Sequence, residues 1–133
     1  MSDANVDLAK SMYAAFQRGD IATIVKTVTP DISWELAGRP GDFPTIGTWR
    51  GPSGVQDFFA TVAKHLDFSE FSPTEFFPSG DKVFVLGRYA MTVKQTGKAM
   101  ACDWCHIFTI RDGRVIGFLE FTDTAQAAEA YRG

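Results

Sequence analysis

The segment from Lys82 to Lys94 constrains the fold most, because it is a long β-rich run interrupted only by Gly87. Strand twist accumulates along such a length, so the segment cannot stay flat, and Gly87 allows a bulge or bend. Three further segments have strand patterns bounded by turn residues: 70–78, 99–110 and 115–122. The sequence therefore predicts an antiparallel meander that curls and leaves a concave face.

Helices are predicted ahead of this meander. Apolar residues at helical spacing indicate helices over 6–18 and 21–28, and Pro52 suits the first turn of a third helix ending near His65. Asp123 is placed to cap a short C-terminal helix. Helices grouped at the start and strands after them predict an α+β fold, not a doubly wound parallel sheet.

One more strand is predicted between the second and third helices. Residues 31–36 alternate apolar and polar side chains, which places Trp34 and Leu36 on one face. The segment 37–51 is rich in Gly and Pro and is predicted to be a long loop. Long loops often border ligand sites, so Arg39 and Trp49 are candidates to close over a ligand.

The chain of 133 residues fits a single domain spanning 1–133. No apolar run reaches the roughly 20 residues that cross a bilayer. The N-terminal stretch lacks the apolar segment of a secretory signal. A net charge of −3 with scattered basic residues argues against a nucleic-acid partner. We therefore expect a cytoplasmic protein with neither a membrane nor a nucleic-acid partner.

The last hairpin determines which residues share a face. If 111–113 is a three-residue loop with its glycine in a left-handed bulge position, Ile110 lies opposite Arg114 and His106 opposite Phe118. One face of the hairpin then carries five side chains: Trp104, His106, Phe108, Phe118 and Glu120.

A two-residue turn at 112–113 is the alternative, and it would place His106 opposite Leu119. The three-residue loop is favoured because glycine at its third position is its usual signature. In that register Trp104 lies opposite Glu120, and His106 lies diagonal to the same carboxyl group.

His106 and Glu120 form the candidate catalytic pair, because an imidazole and a carboxyl group in contact can act as acid and base. The alternative is a buried histidine whose only role is structural. An aromatic share of 14% favours a lined cavity around the pair. The residues predicted to line it and bind substrate are Met12, Tyr13, Trp34, Leu36, Trp104, Phe108 and Phe118.

Other reactive side chains point to simpler roles. Cys102 and Cys105 have the spacing of a redox motif, but on a strand residues three apart face opposite sides, so two unreactive thiols are predicted. His65 at a helix end is predicted to be exposed. The two histidines and two cysteines lack the spacing of a metal site, and no cofactor-binding fingerprint occurs. Neither a metal nor an organic cofactor is therefore expected.

The opposite face of the final hairpin is too apolar to be simply solvated. Beside Asp103 it carries Cys105, Ile107, Thr109, Leu119 and Phe121. We expect this outer face to form a homodimer interface.

Five segments resemble the SnoaL-like, ketosteroid-isomerase-related families: MYAAFQRGD, DISWEL, WRGPSGVQDFF, SGDKVFVLGRY and CHIFTIRDGRVIGFLEF. Together they extend over nearly the whole chain. The resemblance implies the nuclear transport factor 2-like fold, a cone-shaped, mostly antiparallel sheet packed on three N-terminal helices around a ligand pocket.

The resemblance also bears on activity. Ketosteroid isomerases use an Asp base with Tyr and protonated Asp donors. Their motifs align those three positions with Leu36, Met12 and His106, so steroid isomerisation by that machinery is not expected. SnoaL-type polyketide cyclases use an acidic residue on the last part of the sheet, where Glu120 falls. Scytalone dehydratase, a relative by fold, uses a pocket histidine and acidic groups.

Two functional hypotheses follow. The first is a cofactor-independent enzyme, an isomerase, cyclase or dehydratase acting on a small hydrophobic carbonyl compound. The second is a non-catalytic protein of the same fold that binds a small hydrophobic ligand or dimerises through its sheet.

Overall fold

A computed structural model describes residues 3–133, and over that range the chain forms six strands and four helices. Met1 and Ser2 lie outside the described residues. They belong to the predicted domain and to the N-terminal stretch that was predicted not to be a secretory signal. The elements follow in chain order: α1 (Asp3–Gln17), α2 (Ile21–Thr27), β1 (Val28–Leu36), β2 (Gly47–Arg50), α3 (Gly51–His65), β3 (Leu66–Ser79), β4 (Lys82–Val93), β5 (Ala99–Arg111), β6 (Arg114–Phe121) and α4 (Thr124–Tyr131).

The strands form one curved sheet in the order β2-β1-β6-β5-β4-β3. β1 runs parallel to β6, and the other neighbouring strands are antiparallel. The α+β class predicted from the sequence is confirmed. The predicted bend near Gly87 takes the form of a register shift in β3, between Pro73 and Glu75, directly across from Gly87 and Leu86.

The predicted helices are confirmed within a few residues, and aspartates begin two of them. The Asp20 carboxylate accepts a hydrogen bond from the backbone N–H of Thr23 at the start of α2. Asp123 accepts one from the backbone N–H of Gln126 at the start of α4. These carboxylates satisfy donors that would otherwise lack partners in the first helical turn.

The loop predicted over 37–51 is wrong in its last part, because residues 47–50 form β2, which pairs with β1. This edge strand has only four residues, too few for the period-two pattern to emerge from the Gly- and Pro-rich background. Gly47 enters it at φ +129°, a backbone conformation that favours glycine. β1 also begins at Val28, three residues earlier than predicted.

The register predicted for the last hairpin is wrong. Asp112 and Gly113 have φ of 53° and 73°, so they form a two-residue turn, and Arg111 pairs with Arg114. Two pairs further along, Thr109 lies opposite Gly117, which leaves Ile116 as an extra residue in a bulge. The turn and the bulge each move the register by one residue.

These two shifts add up to two residues, so the set of inward-facing side chains is unchanged. His106 lies directly opposite Glu120, and Phe108 opposite Phe118. All four side chains are buried on the concave face of the sheet. The shared face was predicted correctly, although the partner of each residue was not.

The helices α1, α2 and α3 pack on the concave face and complete the core, with Ala9, Ile24 and Val55 almost wholly buried. His65, predicted to be exposed, is half-buried because α4 brings the Tyr131 ring to 6.1 Å from the imidazole. Across residues 3–133, no helix combines the length and apolar character that crossing a membrane requires.

Candidate functional site

A cavity of about 80 Å³ lies between the concave face of the sheet and the helices. Its walls are mainly aromatic and aliphatic, and its polar side chains are few. The lining residues are Met12, Tyr13, Phe16, Ile24, Trp34, Leu36, Phe43, Thr45, Phe58, Phe59, Val62, Leu66, Phe68, Phe71, Tyr89, Met91, Met100, His106, Phe108, Phe118, Glu120, Thr122 and Tyr131.

His106 is 4% exposed, and its ring is held by one polar contact at Nδ1 and by stacking on its face. The Tyr13 hydroxyl, brought from α1, lies 2.7 Å from its Nδ1, and the Trp104 indole stacks on the ring with centroids 3.8 Å apart. The Nε2 atom lies 3.3 Å from Oε1 of Glu120 but makes no well-directed hydrogen bond within residues 3–133. The sheet register thus brings the predicted pair into contact.

Glu120 is 6% exposed, and hydroxyl groups hold its other carboxylate oxygen. The Tyr89 hydroxyl donates to Oε2 at 2.8 Å. The Thr122 hydroxyl lies 2.6 Å from the Tyr89 oxygen and 3.3 Å from the Cys102 sulfur. A hydrogen-bonded chain therefore fixes one oxygen and leaves Oε1 on the side of His106.

Both tyrosines beside this pair retain their protons at neutral pH. Burial, followed by the Glu120 carboxylate, raises the pKa of the Tyr13 hydroxyl well above its ordinary value. The same two causes raise the pKa of the Tyr89 hydroxyl. Each tyrosine therefore acts as a hydrogen-bond donor in the site.

Six of the seven predicted pocket residues line the cavity: Met12, Tyr13, Trp34, Leu36, Phe108 and Phe118. Trp104 is buried but is not among the residues that line the cavity, so its predicted contact with substrate stays a prediction. The backbone of Gly87, its partner in β4, leaves room for the indole, which therefore packs behind His106. Trp104 supports the imidazole by stacking on it.

Sequence reasoning missed Tyr89 and Thr122. Tyr89 lies on β4 on the same inward face as Val85 and Gly87, so pairing β4 with β5 would have placed its side chain on the face of His106. Thr122 follows β6 two residues after Glu120 and continues the same alternation.

The two loop residues predicted as candidates to close over a ligand do not line the cavity. Arg39 is exposed and forms an ion pair with Asp42 at 2.9 Å. The Trp49 indole N–H donates to the Thr45 carbonyl at 3.1 Å. Phe43 of the same loop does line the cavity, where its ring stacks on Tyr131 at 5.6 Å.

The cysteines are free, as predicted, with Cys102 buried and Cys105 half-buried. They lie on opposite sides of β5, and burial raises the pKa of the Cys105 thiol. Within residues 3–133, no three side chains of His, Cys, Asp or Glu converge in a way that could hold a metal ion.

Comparisons with known proteins agree with this architecture. The family model described as "SnoaL-like domain" matches residues 9–118. An uncharacterized protein of Mycobacterium tuberculosis is 26% identical over 129 residues, which cover 97% of this chain and 96% of that protein.

Two solved structures are similar over nearly their full lengths. An NTF2-like protein from Burkholderia xenovorans is 29% identical, with a TM-score of 0.90 over 99% of this chain and 98% of that one. TerC, co-crystallized with polyporic acid, is 30% identical, with a TM-score of 0.85 over 96% and 97%. The sheet and helices described above are therefore those of an NTF2-like fold.

Proposed function

The chain belongs to the SnoaL-like domain family, and on that premise we propose that it is a cytoplasmic, cofactor-independent acid–base enzyme acting on a small, mostly apolar carbonyl compound. The observation that carries the proposal is the buried carboxylate of Glu120 in the wall of an apolar cavity. One of its oxygens accepts from Tyr89, and the other lies 3.3 Å from Nε2 of His106. A base and a hydrogen-bond donor side by side in a water-poor pocket suit proton removal next to a carbonyl group.

Glu120 is the base in this proposal. Its Oε1 takes a proton from the carbon next to the substrate carbonyl, and the electron pair moves to the carbonyl oxygen to form an enolate. Because Tyr89 holds Oε2, the reacting oxygen is fixed in position. Returning the proton to another carbon isomerises the substrate. If the enolate instead attacks a second carbonyl, the ring closes and the new alkoxide takes the proton back from Glu120. If the enolate expels a neighbouring hydroxyl group, that group takes the proton and leaves as water.

His106 supplies the hydrogen bond to the enolate oxygen. The Tyr13 hydroxyl keeps its proton and finds no acceptor other than Nδ1 of His106 within residues 3–133. Nδ1 therefore accepts, and Nε2 carries the ring proton. That N–H lies beside Glu120, where it can donate to a developing negative charge.

The surrounding aromatic wall strengthens both interactions. Phe118 stacks on Trp34 at 3.9 Å and meets the His106 ring edge-on at 4.9 Å, while Phe108 packs against Phe118. Excluding water from the reacting groups lowers the local dielectric constant, so each charge–dipole contact gains strength.

The activity can be tested before the substrate is known. In D₂O, an enzyme that removes protons next to carbonyl groups introduces deuterium there, which NMR detects in each compound of a ketone panel. We expect catalysed exchange in at least one small apolar ketone, and a large loss of it in His106→Ala. Failure to accelerate exchange in any compound that binds, as judged by thermal shift, would contradict the proposal.

A non-catalytic binding role is the second candidate, and the small cavity favours it. Free space of about 80 Å³ is well below the roughly 300–1,000 Å³ of pockets for drug-sized ligands, because side chains fill much of the cone. The exchange experiment separates the two candidates, since a binding protein shifts its melting temperature with ligand but leaves deuterium incorporation at the uncatalysed rate.

We also propose that two copies pair through the outer face of the sheet. Phe121 and Leu86 are 48% and 39% exposed there, and Ile107 and Leu119 border a shallow hollow on the same face. We expect sedimentation equilibrium to give twice the mass of one chain. Leu86→Arg should lower the mass to that of a monomer, because burying an unpaired charge is costly.

The matched control for this prediction is Lys64→Glu, an exposed charge change on α3, away from the outer face. It should leave the dimer mass unchanged. A monomer for the wild-type chain at high protein concentration would contradict the interface.

A further inference from the structure

Two buried N–H donors in the cavity wall have no hydrogen-bond partner within residues 3–133. One is Nε2 of His106, and the other is Nε1 of Trp34, whose side chain is 3% exposed. Both residues line the cavity. A buried donor without an acceptor is costly, so groups of this kind usually meet a partner. For these two donors the cavity is the space in which that partner would lie.

The chemistry of each donor limits what can bind it. An indole N–H can only donate, so the group facing Trp34 is a hydrogen-bond acceptor. Because Nδ1 of His106 accepts from the Tyr13 hydroxyl, Nε2 carries the ring proton and is a donor as well. Tyr131 also has a buried hydroxyl without a partner within residues 3–133. Because a hydroxyl can both donate and accept, it does not indicate whether the ligand group beside it is a donor or an acceptor.

The two donors belong to different strands, which separates them. Trp34 lies on β1 and His106 on β5, with β6 between them in the sheet. Strands two apart are about 9–10 Å from each other. The Phe118 ring occupies the space between the two side chains and contacts both. One oxygen atom cannot serve both donors across that ring, so two acceptors are required.

The charged groups around the cavity limit the net charge that the ligand can carry. Among the described residues lining the cavity there is no lysine or arginine, whereas Glu120 is present. An anionic ligand would lie beside this carboxyl group with no cationic partner, so a neutral ligand is favoured.

We infer that the ligand is a small neutral ring compound with two carbonyl-type oxygens on opposite sides, one accepting from His106 Nε2 and the other from Trp34 Nε1. This inference rests on the proposed function, whose reacting carbonyl is the one at His106. The oxygen at Trp34 anchors the far end of the molecule. The free space of about 80 Å³ is smaller than the engineered apolar cavity of about 150 Å³ that holds benzene, so binding a ring requires lining side chains to move. The rings of Phe59 and Phe68 are among the lining side chains that are only half-buried, and these are the ones expected to move.

The test compares cyclohexane-1,4-dione with cyclohexanone, which has the same ring and one oxygen fewer. We expect the wild-type chain to bind the dione about tenfold more tightly, the effect of one additional buried hydrogen bond. In Trp34→Phe the aromatic ring stays but the donor is lost, so the ratio of the two dissociation constants should fall to about one. Equal binding of the two probes by the wild type, or no binding of either, would overturn the inference.

Trp104→Phe is the matched control, since the Trp104 indole N–H is also buried without a partner but lies outside the cavity lining. Both probes use His106, so a disturbance of the imidazole that Trp104 supports would change the two dissociation constants alike, and their ratio should stay near ten. The indole N–H resonance of Trp34 in a ¹⁵N–¹H spectrum should move on addition of the dione, while that of Trp104 stays in place. A dione preference that survives Trp34→Phe would also overturn the inference.

These outcomes are independent of catalysis, because they measure binding alone. Equal binding of the two probes with deuterium exchange intact would contradict the second acceptor at Trp34 but not the proposed enzymatic activity. A preference for the dione that depends on Trp34, without any catalysed exchange, would support the ligand class and contradict the enzymatic activity.

Discussion

Replacing Gly87 with alanine is expected to lower the free energy of unfolding by about 2 kcal/mol, a typical cost of overpacking a tight core. A Cβ at this position would lie 2.2 Å from Cζ2 and 2.4 Å from Cη2 of the Trp104 indole, far inside contact distance. The indole cannot simply turn away, because its ring stacks on His106 at 3.8 Å. Urea unfolding of the two proteins measures the difference.

Gly117→Ala provides the control for a glycine in a strand of the same sheet. Its added Cβ would meet only Cβ and Oγ1 of Thr109 at 3.5 Å, an ordinary contact. We expect its free energy of unfolding to equal or slightly exceed that of the wild type, because alanine restricts the unfolded chain. Equal stabilities of the two alanine variants would contradict the close packing of Gly87 against Trp104.

A double-mutant cycle identifies Trp104 as the cause. Phenylalanine at position 104 lacks the outer indole atoms that a Cβ at position 87 would meet. The pair Gly87→Ala with Trp104→Phe should therefore be more stable than the sum of the two single effects predicts, by about 1 kcal/mol. Since the displaced indole pushes on His106, the single alanine variant should also show a shifted imidazole resonance.

Gly87 and Trp104 illustrate how far the sequence specifies the site. The alternation along β5 is sufficient to predict that Trp104 points inward with His106 and Phe108, and the structure confirms this. Whether an inward side chain reaches the cavity depends on what lies across the neighbouring strand. Gly87, the partner of Trp104 in β4, leaves the space that the indole occupies behind the imidazole. The sequence pattern of β5 alone does not show that this partner is a glycine.

In the hairpin between β5 and β6, too, the sequence predicts which side chains face inward but not which residues pair. Local turn chemistry favours a bulge, and a bulge is present, but in β6 at Ile116 and not in the loop. Both arrangements keep the parity of the strand, so the inward face was predictable while the direct pairing of His106 with Glu120 was not. The parallel pairing of β1 with β6 was also beyond prediction, because the two segments are distant in sequence.

Glu120→Gln is expected to lower the rate of catalysed deuterium exchange by about 10²–10⁴-fold, the usual contribution of a general base. The amide has the shape of the carboxylate, and its carbonyl oxygen can still accept from the Tyr89 hydroxyl, now 2.8 Å from Oε2. What the variant loses is the ability to take a proton. The fold should remain intact, because the amide fills the same volume as the carboxyl group.

Glu35→Gln separates the loss of a base from the loss of a charge. Glu35 lies on β1 next to the inward-facing Trp34, but its side chain is on the outer face, opposite the cavity. The same carboxylate-to-amide change there should leave the exchange rate within a factor of two of the wild type. If Glu120→Gln also retained the wild-type rate, the proton would leave the substrate by another route. That result would remove Glu120 from the mechanism.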